Sequence, residues 1–310
     1  MRRREVIALI AGATAAWPLV ARTETSRRVG LLFTPSAQAA KALGSREAIV
    51  QGLKEHGWVE GQNITFEYRY ADGKQDALPK LAAELVRLRV DAIVAEGTPA
   101  MQAAKDATQT VPIVGLSNDP LASGFVSSLG RPGGNITGIG LLSADLAGRR
   151  LQLLSEVVVG LARVIVLLNP ANPSHFALLK QTQAAGPSLM LSAFATISAA
   201  QTGAVIVLLD AMFFEYRRVV AFAATERLPT LYPEKQSVEA GGFIAYGPSI
   251  PAAYRQLATY LDKILRGADP AELPVEQPTT FEFAINLKTA KALGLSIPDK
   301  LLYTADEVIE

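Results

Sequence analysis

The sequence predicts an α/β protein in which two doubly wound parallel-sheet lobes are joined by a hinge. Strand-like and helix-like segments alternate along the chain, which is typical of parallel sheets covered by helices on both faces. The alternation is interrupted once, by a glycine-rich stretch at residues 131–140, and then begins again. The length of 310 residues is enough for two domains of ordinary size.

The first lobe is expected over residues 27–137, with four strands and four helices. Runs of Val, Ile and Leu predict buried strands, and one alternating segment predicts a half-buried strand. Helices are predicted where apolar residues recur at helical spacing between capping residues and glycines. In chain order, the strands are 27–33, 63–71, 90–97 and 111–116, and the helices are 37–57, 76–89, 98–108 and 120–130.

The second lobe is expected over residues 138–270. The same two periodicities predict its elements and those of the tail. The predicted strands are 161–170, 203–210, 228–234, 241–249 and 279–286, and the predicted helices are 144–158, 172–185, 212–228, 251–267 and 287–297. Part of the tail, about residues 270–310, is expected to pack near the hinge as part of the first lobe.

The glycine-rich stretch RPGGNITGIG is interpreted as a turn and a crossover strand at the junction of the lobes. Its glycines match neither G-x-x-x-x-G-K-[ST] nor G-x-G-x-x-G, and the stretch follows a predicted helix rather than a strand. Both facts argue against a phosphate-binding loop, although that alternative stays open. Glycine adopts the backbone angles that a hinge requires, so Gly138 and Gly140 are the predicted hinge residues.

Composition excludes several classes of function. The chain contains no cysteine, which rules out disulfides, thiolate catalysis and thiolate metal sites. Lys and Arg total 30 against 29 Asp and Glu, and without a basic excess nucleic acid is a poor candidate partner. None of the motifs G-x-S-x-G, S-x-x-K and H-E-x-x-H occurs. We therefore predict no catalytic residue, no metal and no cofactor.

Residues 1–26 predict an export signal. Three arginines near the start lead into the apolar stretch Val6–Val20, and a polar segment follows at residues 22–26. This apolar stretch is shorter than the about 20 residues that a membrane span needs, so cleavage and release into the periplasm are predicted. The Arg3–Arg4 pair suggests the twin-arginine route. An uncleaved N-terminal anchor is the alternative.

Several long motifs follow one another in a fixed order along nearly the whole chain. They include GLKEHGWVEGQNITFEYRYADG, LAAELVRLRVDAIVAEGTPA, NDPLASGFVSSLGRPGGNITG, LLNPANPS, VEAGGFIAYGP and YLDKILRGADPAELPVEQPTTFEFAINLKTAKALGLSIP. In this order they resemble the substrate-binding family of ABC transporters that includes the tryptophan- and tyrosine-type binding proteins. One departure concerns residues 184–202, which are shorter than in relatives and leave only residues 188–191 to form a strand.

The resemblance implies a type I periplasmic binding fold, similar to that of the leucine/isoleucine/valine-binding proteins. It implies that a small ligand, an amino acid or an aromatic acid, is held between the lobes. It further implies that a monomer presents its closed form to an ABC permease, whose ATPase partner hydrolyses ATP.

Candidate ligand-binding residues follow the predicted strands, because ligands of open α/β sheets bind beyond the carboxyl ends of the strands. The candidates are Thr34, Ser36, Gly97, Thr98, Asn118, Asp119, Asn169, Asn172, Asp210 and Tyr246. A ligand carboxylate would accept hydrogen bonds from the backbone near Gly97 and from the Thr98 hydroxyl at a helix N-terminus. Asp119 is the expected partner of an ammonium group, and Tyr246 would stack on an apolar ligand.

Each candidate also has a structural interpretation. The Thr, Asn and Asp residues are typical helix caps, and Tyr246 is equally suited to a core. Two other functions stay open. In a bilobal hydrolase or racemase, Asp119 and Asp210 would act as acid and base across the cleft. In a sensor, the closed form would bind a signalling receptor instead of a permease.

Overall fold

The computed structural model describes residues 26–310 with several short gaps. The gaps are residues 142–143, 171, 173, 187–189, 194–202, 211–212 and 214–215. The predicted export signal, apart from Ser26, lies outside the described residues, and so does most of the segment 184–202. Within the described part of the chain, no helix is both long enough and apolar enough to cross a membrane.

The first sheet contains five parallel strands in the order β2-β1-β3-β4-β5. Their bounds are β1 Arg27–Phe33, β2 Ile64–Tyr70, β3 Ala92–Glu96, β4 Ile113–Ser117 and β5 Ile136–Gly140. Strands β3, β4 and β5 are buried along their whole length. Their apolar composition is that of strands covered on both faces, as the sequence predicted.

Four helices from the first half of the chain pack on this sheet. They are α1 (Ala37–Ala42), α2 (Ser45–Glu55), α3 (Leu78–Arg87) and α4 (Gly97–Ala107). The single helix predicted over 37–57 is interrupted, because Gly44 takes a left-handed φ of +68° between α1 and α2. The helix predicted over 120–130 was wrong, since these residues form turns around Gly124, whose φ is +67°.

The second sheet contains seven strands in the order β12-β11-β10-β9-β8-β6-β7. Their bounds are β6 Arg163–Leu167, β7 Met190–Ala193, β8 Ala204–Val207, β9 Thr230–Tyr232, β10 Ile244–Pro248, β11 Phe281–Asn286 and β12 Glu307–Ile309. All neighbours are parallel except β10 and β11. Two parallel-sheet lobes confirm the predicted fold class, and the short edge strand β7 lies two residues after the expected start.

Seven further helices belong to the second half of the chain. They are α5 (Ala144–Val157), α6 (Ser174–Ala185), α7 (Tyr216–Thr225), α8 (Gln236–Glu239), α9 (Ile250–Leu265), α10 (Leu287–Leu293) and α11 (Asp299–Thr304). Together with β11 and β12, the tail helices complete the second lobe, where the core joins Leu301 to Ile285 and Phe283. The start of the tail does contact the first lobe, since Val275 shares a buried cluster with Ile93 and Ile136, whereas β11 and β12 belong to the second sheet.

Helix α9 packs on the first sheet although the strand before it, β10, belongs to the second. Tyr254, Leu257 and Leu261 of α9 share one buried cluster with Val29 and Leu31 of β1. The boundaries expected from the sequence assigned α9 to the second lobe. They differ because an apolar helix face shows that a helix is covered but not which sheet covers it.

The junction of the lobes runs alongside β5. Thr137 donates a hydrogen bond from Oγ1 to the carbonyl of Leu273 over 2.7 Å, and the Gly140 amide donates to the carbonyl of Glu276 over 2.9 Å. Gly138 lies opposite Gly115 in the β4–β5 pair. A Cβ atom on Gly138 would lie 2.1 Å from the Gly115 carbonyl oxygen, so this glycine permits close strand approach. Its role as a hinge stays a prediction.

Replacing Gly138 with alanine is expected to destabilise the protein by at least about 2 kcal/mol. The methyl group would collide with Gly115, and the φ of +142° is one that alanine rarely adopts. The urea midpoint of unfolding measures the loss. Gly134→Ala is the matched control, because nothing lies within 4 Å of its Cβ position. Equal midpoints for the two variants would contradict a close approach of β4 and β5 at Gly138.

Candidate ligand-binding site

A cavity lies between the two sheets, beyond the carboxyl ends of strands from both. Its polar lining consists of Thr34, Glu96, Thr98, Ser117, Asn118, Asn172, Asp210 and Glu234. Its apolar lining consists of Pro99, Leu116, Leu141, Leu209 and Ile250, and Gly97 completes the wall. Although polar residues outnumber apolar ones, most of the surface area of the wall is apolar. An apolar wall on which a few polar groups converge is typical of small-molecule sites.

Six of the predicted site residues line this cavity: Thr34, Gly97, Thr98, Asn118, Asn172 and Asp210. Each follows a strand of the first or second sheet, which is why the topology brings them to one place. The first lobe contributes four of them and the second lobe contributes two. Their role in binding a ligand stays a prediction.

The other four predicted site residues are not among the described lining residues. Ser36 caps helix α1, since its hydroxyl accepts from the Ala39 amide, and Asp119 caps a turn, since its carboxylate accepts from the Ala122 amide. The role of Asp119 toward a ligand ammonium stays a prediction.

The side chains of Tyr246 and Asn169 contact other residues of the second lobe. The ring of Tyr246 lies 6.2 Å from the rings of both Phe281 and Phe283, within the second core. Asn169 is fully buried and donates from Nδ2 to Asp210 Oδ1 over 3.0 Å. Alternation along β10 explains the position of Tyr246, since its neighbours Ala245 and Gly247 point to the opposite face.

A chain of hydrogen bonds joins the two lobes beside the cavity. Asn118 of the first lobe donates from Nδ2 to Ser174 Oγ over 3.1 Å. The Ser174 hydroxyl donates to Asn172 Oδ1 over 2.7 Å, and Asn172 Nδ2 donates to Asp210 Oδ2 over 2.8 Å. All four side chains are buried, so each bond satisfies a group that water does not reach. The chain ends on a carboxylate, the strongest acceptor of the set.

His175 stabilises the backbone next to this chain of hydrogen bonds. Its Nδ1 accepts from the Asn169 amide over 2.8 Å, which places the proton on Nε2, where it faces the Leu209 carbonyl at 3.1 Å. Burial lowers the pKa of His175, although the nearby Asp210 opposes this effect. The neutral ring therefore fixes the loop that carries Asn169 and Asn172.

Two buried carboxyl groups of the cavity, Glu96 and Glu234, were missed by the sequence analysis. Glu96 ends β3 and is 6% exposed, and Glu234 follows β9 and is 3% exposed. Burial raises the pKa of Glu96 to about 8, with the Tyr254 phenol opposing the shift. Burial also raises the pKa of Glu234, and the Glu96 charge adds to this. The sequence feature that could have identified these two residues is an acidic residue directly after an apolar run.

The N-terminus of α4 forms one wall of the cavity. Gly97 enters the helix with a φ of +84°, and the hydroxyl of Thr98 has no hydrogen-bond partner among the described residues. The free amide groups of a helix N-terminus attract an anion. This wall can therefore receive a carboxylate, as the sequence predicted for Gly97 and Thr98.

The described residues contain no group of three or more acidic or histidine side chains close enough together to hold a metal ion. Arg150, a buried cation near the cavity, donates from Nε to the Tyr246 carbonyl over 2.9 Å. Burial lowers the pKa of Arg150 to about 10, and Glu234 and Tyr246 oppose the shift. Arg150 thus partly balances the charge of Glu234.

Comparisons with known proteins identify relatives that share this architecture. A family model described as ABC transporter substrate binding protein matches residues 36–309. A protein of Clostridioides difficile (strain R20291) described as a tyrosine-binding protein is 24% identical over 283 residues. The alignment covers 86% of this chain and 79% of that protein.

Two solved structures share the two-lobed fold. A conserved domain protein of Vibrio cholerae is 25% identical with a TM-score of 0.85, and the match covers 91% of this chain and 99% of that chain. The ABC domain of Streptococcus pneumoniae in complex with L-Trp is 23% identical with a TM-score of 0.85. That match covers 92% of this chain and 100% of the other. The predicted type I periplasmic binding fold is confirmed.

Replacing Glu96 with glutamine is expected to change how stability depends on pH. The folded-state pKa of about 8 exceeds the ordinary 4.5, so the native state holds an extra proton between these values. Stability is full below about pH 4.5 and falls by a few kcal/mol as pH rises through 8. The free energy of urea unfolding is measured at pH 5, 6.5 and 8.5. Relative to the wild type, Glu96→Gln should become more stable as the pH rises. The exposed Glu239→Gln is the control, and a constant difference at all three values would contradict the assignment.

Replacing Asn172 with alanine is expected to cost about 1–3 kcal/mol, since Asp210 and Ser174 would lose buried hydrogen bonds. The measurement is the free energy of urea unfolding at neutral pH. Gln152→Ala removes an exposed amide that bonds to Glu156 and should change this free energy by less than about 0.5 kcal/mol. A loss no larger than that of the control would mean that the hydrogen-bond chain does not stabilise the protein.

Proposed function

Because the match over residues 36–309 shows that the chain belongs to the ABC transporter substrate-binding protein family, we propose that it binds a small amino-acid-like ligand in the cavity between its lobes. Proteins of this family bind a small molecule and work with the components of an ABC transporter. The observation that carries the proposal is the cavity itself, whose walls come from both lobes at the carboxyl ends of their strands.

The polar groups of the cavity support an orientation for the ligand. Its carboxylate lies against the N-terminus of α4 and accepts a hydrogen bond from the Thr98 hydroxyl, which no described residue uses. Its ammonium group lies toward the acidic side chains of the second lobe, Asp210 and Glu234. A zwitterion therefore contacts both lobes at once only when the lobes are closed. Binding then favours the closed form by this difference in contacts.

Two relatives support an amino acid as the ligand class. The C. difficile protein is described as tyrosine-binding, and the S. pneumoniae structure contains L-Trp. The apolar wall of Leu116, Leu141 and Leu209 is able to pack against such a side chain. An aromatic acid without an ammonium group fits less well, because Asp210 and Glu234 would face it without a counter-charge.

We further propose that the partners are a membrane permease and its ATPase, and that the binding protein acts as a monomer outside the cytoplasm. Members of the family work at that location, and residues 1–26 have the features of an export signal. The twin-arginine pair in this segment gives the proposed route. In this arrangement the chain itself performs no chemistry, and ATP hydrolysis by the partner drives uptake.

Thermal unfolding of the purified protein against a panel of amino acids tests the function. A ligand at 100 times its dissociation constant should stabilise the native state by about 2.7 kcal/mol and raise the unfolding midpoint. Aromatic acids without an ammonium group serve as the negative series. Unchanged ligand after prolonged incubation would exclude turnover. Absence of a shift with every amino acid would contradict the proposal.

Replacing Thr98 with valine is expected to weaken ligand binding about ten-fold with little effect on stability. The Thr98 hydroxyl has no described partner within the protein, so its hydrogen bond is available to a ligand. Isothermal titration calorimetry measures the affinity. Thr108→Val is the contrasting variant, because that hydroxyl accepts from the amides of Thr110 and Val111. It should lower stability and leave affinity unchanged, and the reverse pattern would refute the role of Thr98.

A further inference from the structure

Two carboxyl groups from opposite lobes line the same cavity, and each has at least one buried oxygen without a hydrogen-bond partner among the described residues. Glu96 belongs to the first lobe and Glu234 to the second, and both are more than nine-tenths buried. Oxygen Oε2 of Glu96 and both carboxyl oxygens of Glu234 have no hydrogen-bond partner among the described residues. Burying such acceptors is costly unless something that enters the cavity satisfies them.

Among the described residues, none of those that line this cavity is Lys, Arg or His. The residues between 142 and 215 that the structure does not describe also include no Lys, Arg or His in the sequence. Arg150 approaches Glu234 but lies outside the lining and is bonded through Nε to the Tyr246 carbonyl.

Asp210 differs from these two glutamates. Both of its carboxylate oxygens accept hydrogen bonds, one from Asn169 and the other from Asn172. Glu96 and Glu234 are therefore the groups with oxygen atoms that accept no hydrogen bond among the described residues. The aliphatic part of a ligand could pack against Leu116, Leu141 and Ile250, which line the same cavity as the two glutamates.

Building on the proposed function, we propose that the ligand is a basic amino acid, whose side-chain ammonium or guanidinium group lies between Glu96 and Glu234. The cation satisfies acceptors of both lobes at once, so it stabilises the closed form more than a neutral side chain does. A neutral ligand of the same shape leaves both glutamates unbonded in a site closed to water. Sites that hydrogen-bond a substrate group reject analogues that lack it for this reason.

L-Lysine and L-norleucine are the matched pair that tests this inference, because they share an aliphatic stem and differ in the terminal ammonium group. Isothermal titration calorimetry of the purified protein is expected to give at least about ten-fold tighter binding of lysine. L-Tyrosine is the third ligand. Equal or tighter binding of norleucine or tyrosine would overturn the basic specificity and leave the proposed function standing. Absence of binding by both lysine and arginine would overturn this inference, whereas the proposed function fails only if no amino acid of the panel binds.

Variants show whether the two glutamates carry the preference. Glu234→Gln and Glu96→Gln keep the size and shape of the side chain, so both variants are expected to fold, and they remove the carboxyl group that would ionise to pair with a cation. Each should reduce the lysine-to-norleucine affinity ratio about ten-fold while norleucine affinity changes little. Glu239→Gln, on the exposed surface of α8, is the control and should keep the wild-type ratio. An unchanged ratio in both cavity variants would overturn the assignment.

Discussion

Parallel pairing is the constraint on which the rest of the structure depends. Because all strands of a parallel set end on one edge of the sheet, the residues that follow them meet there. Each sheet of this protein presents such an edge, and the two edges face each other across the cavity. Thr34, Glu96 and Asn118 reach it from one side, and Asn172, Asp210 and Glu234 reach it from the other. The polar groups that would be costly in either core alone are thus collected around one cavity.

The sequence predicted the fold well because its signals are local. The apolar runs of β1 and β3 and the caps and glycines around the helices depend on near neighbours in the chain, and most elements lie within a few residues of their expected bounds. The helix expected over 120–130 failed because Gly124 breaks it after one turn. The assignment of α9 to a lobe failed because it depends on contacts between residues about 200 positions apart, such as Gly52 and Ala258.

The site was predictable only in part, for a related reason. Position after a strand led to Thr98, Asn118, Asn172 and Asp210, which line the cavity. It did not distinguish a side chain that faces the cavity from one that caps a turn, as Asp119 does. Glu96 and Glu234 occupy the same kind of position but were passed over, since acidic residues beside a strand are more often solvated. Their surroundings include residues far along the chain, such as Tyr254 beside Glu96 and Arg150 near Glu234, so their burial is invisible to the sequence.

The position of α9 also bears on the order in which the protein is assembled. The first sheet is complete once residue 140 has been synthesised, yet its core still lacks Tyr254, Leu257 and Leu261. Until the ribosome has added these residues, the surface of β1 and α2 that they cover stays exposed. The core of the first lobe is therefore completed only after β6 to β10 of the second lobe have been synthesised, although its own strands come first. Synthesis of most of the chain must precede the folding of either half, which gives a cell a long interval in which a chaperone or an export factor can engage an unfinished protein.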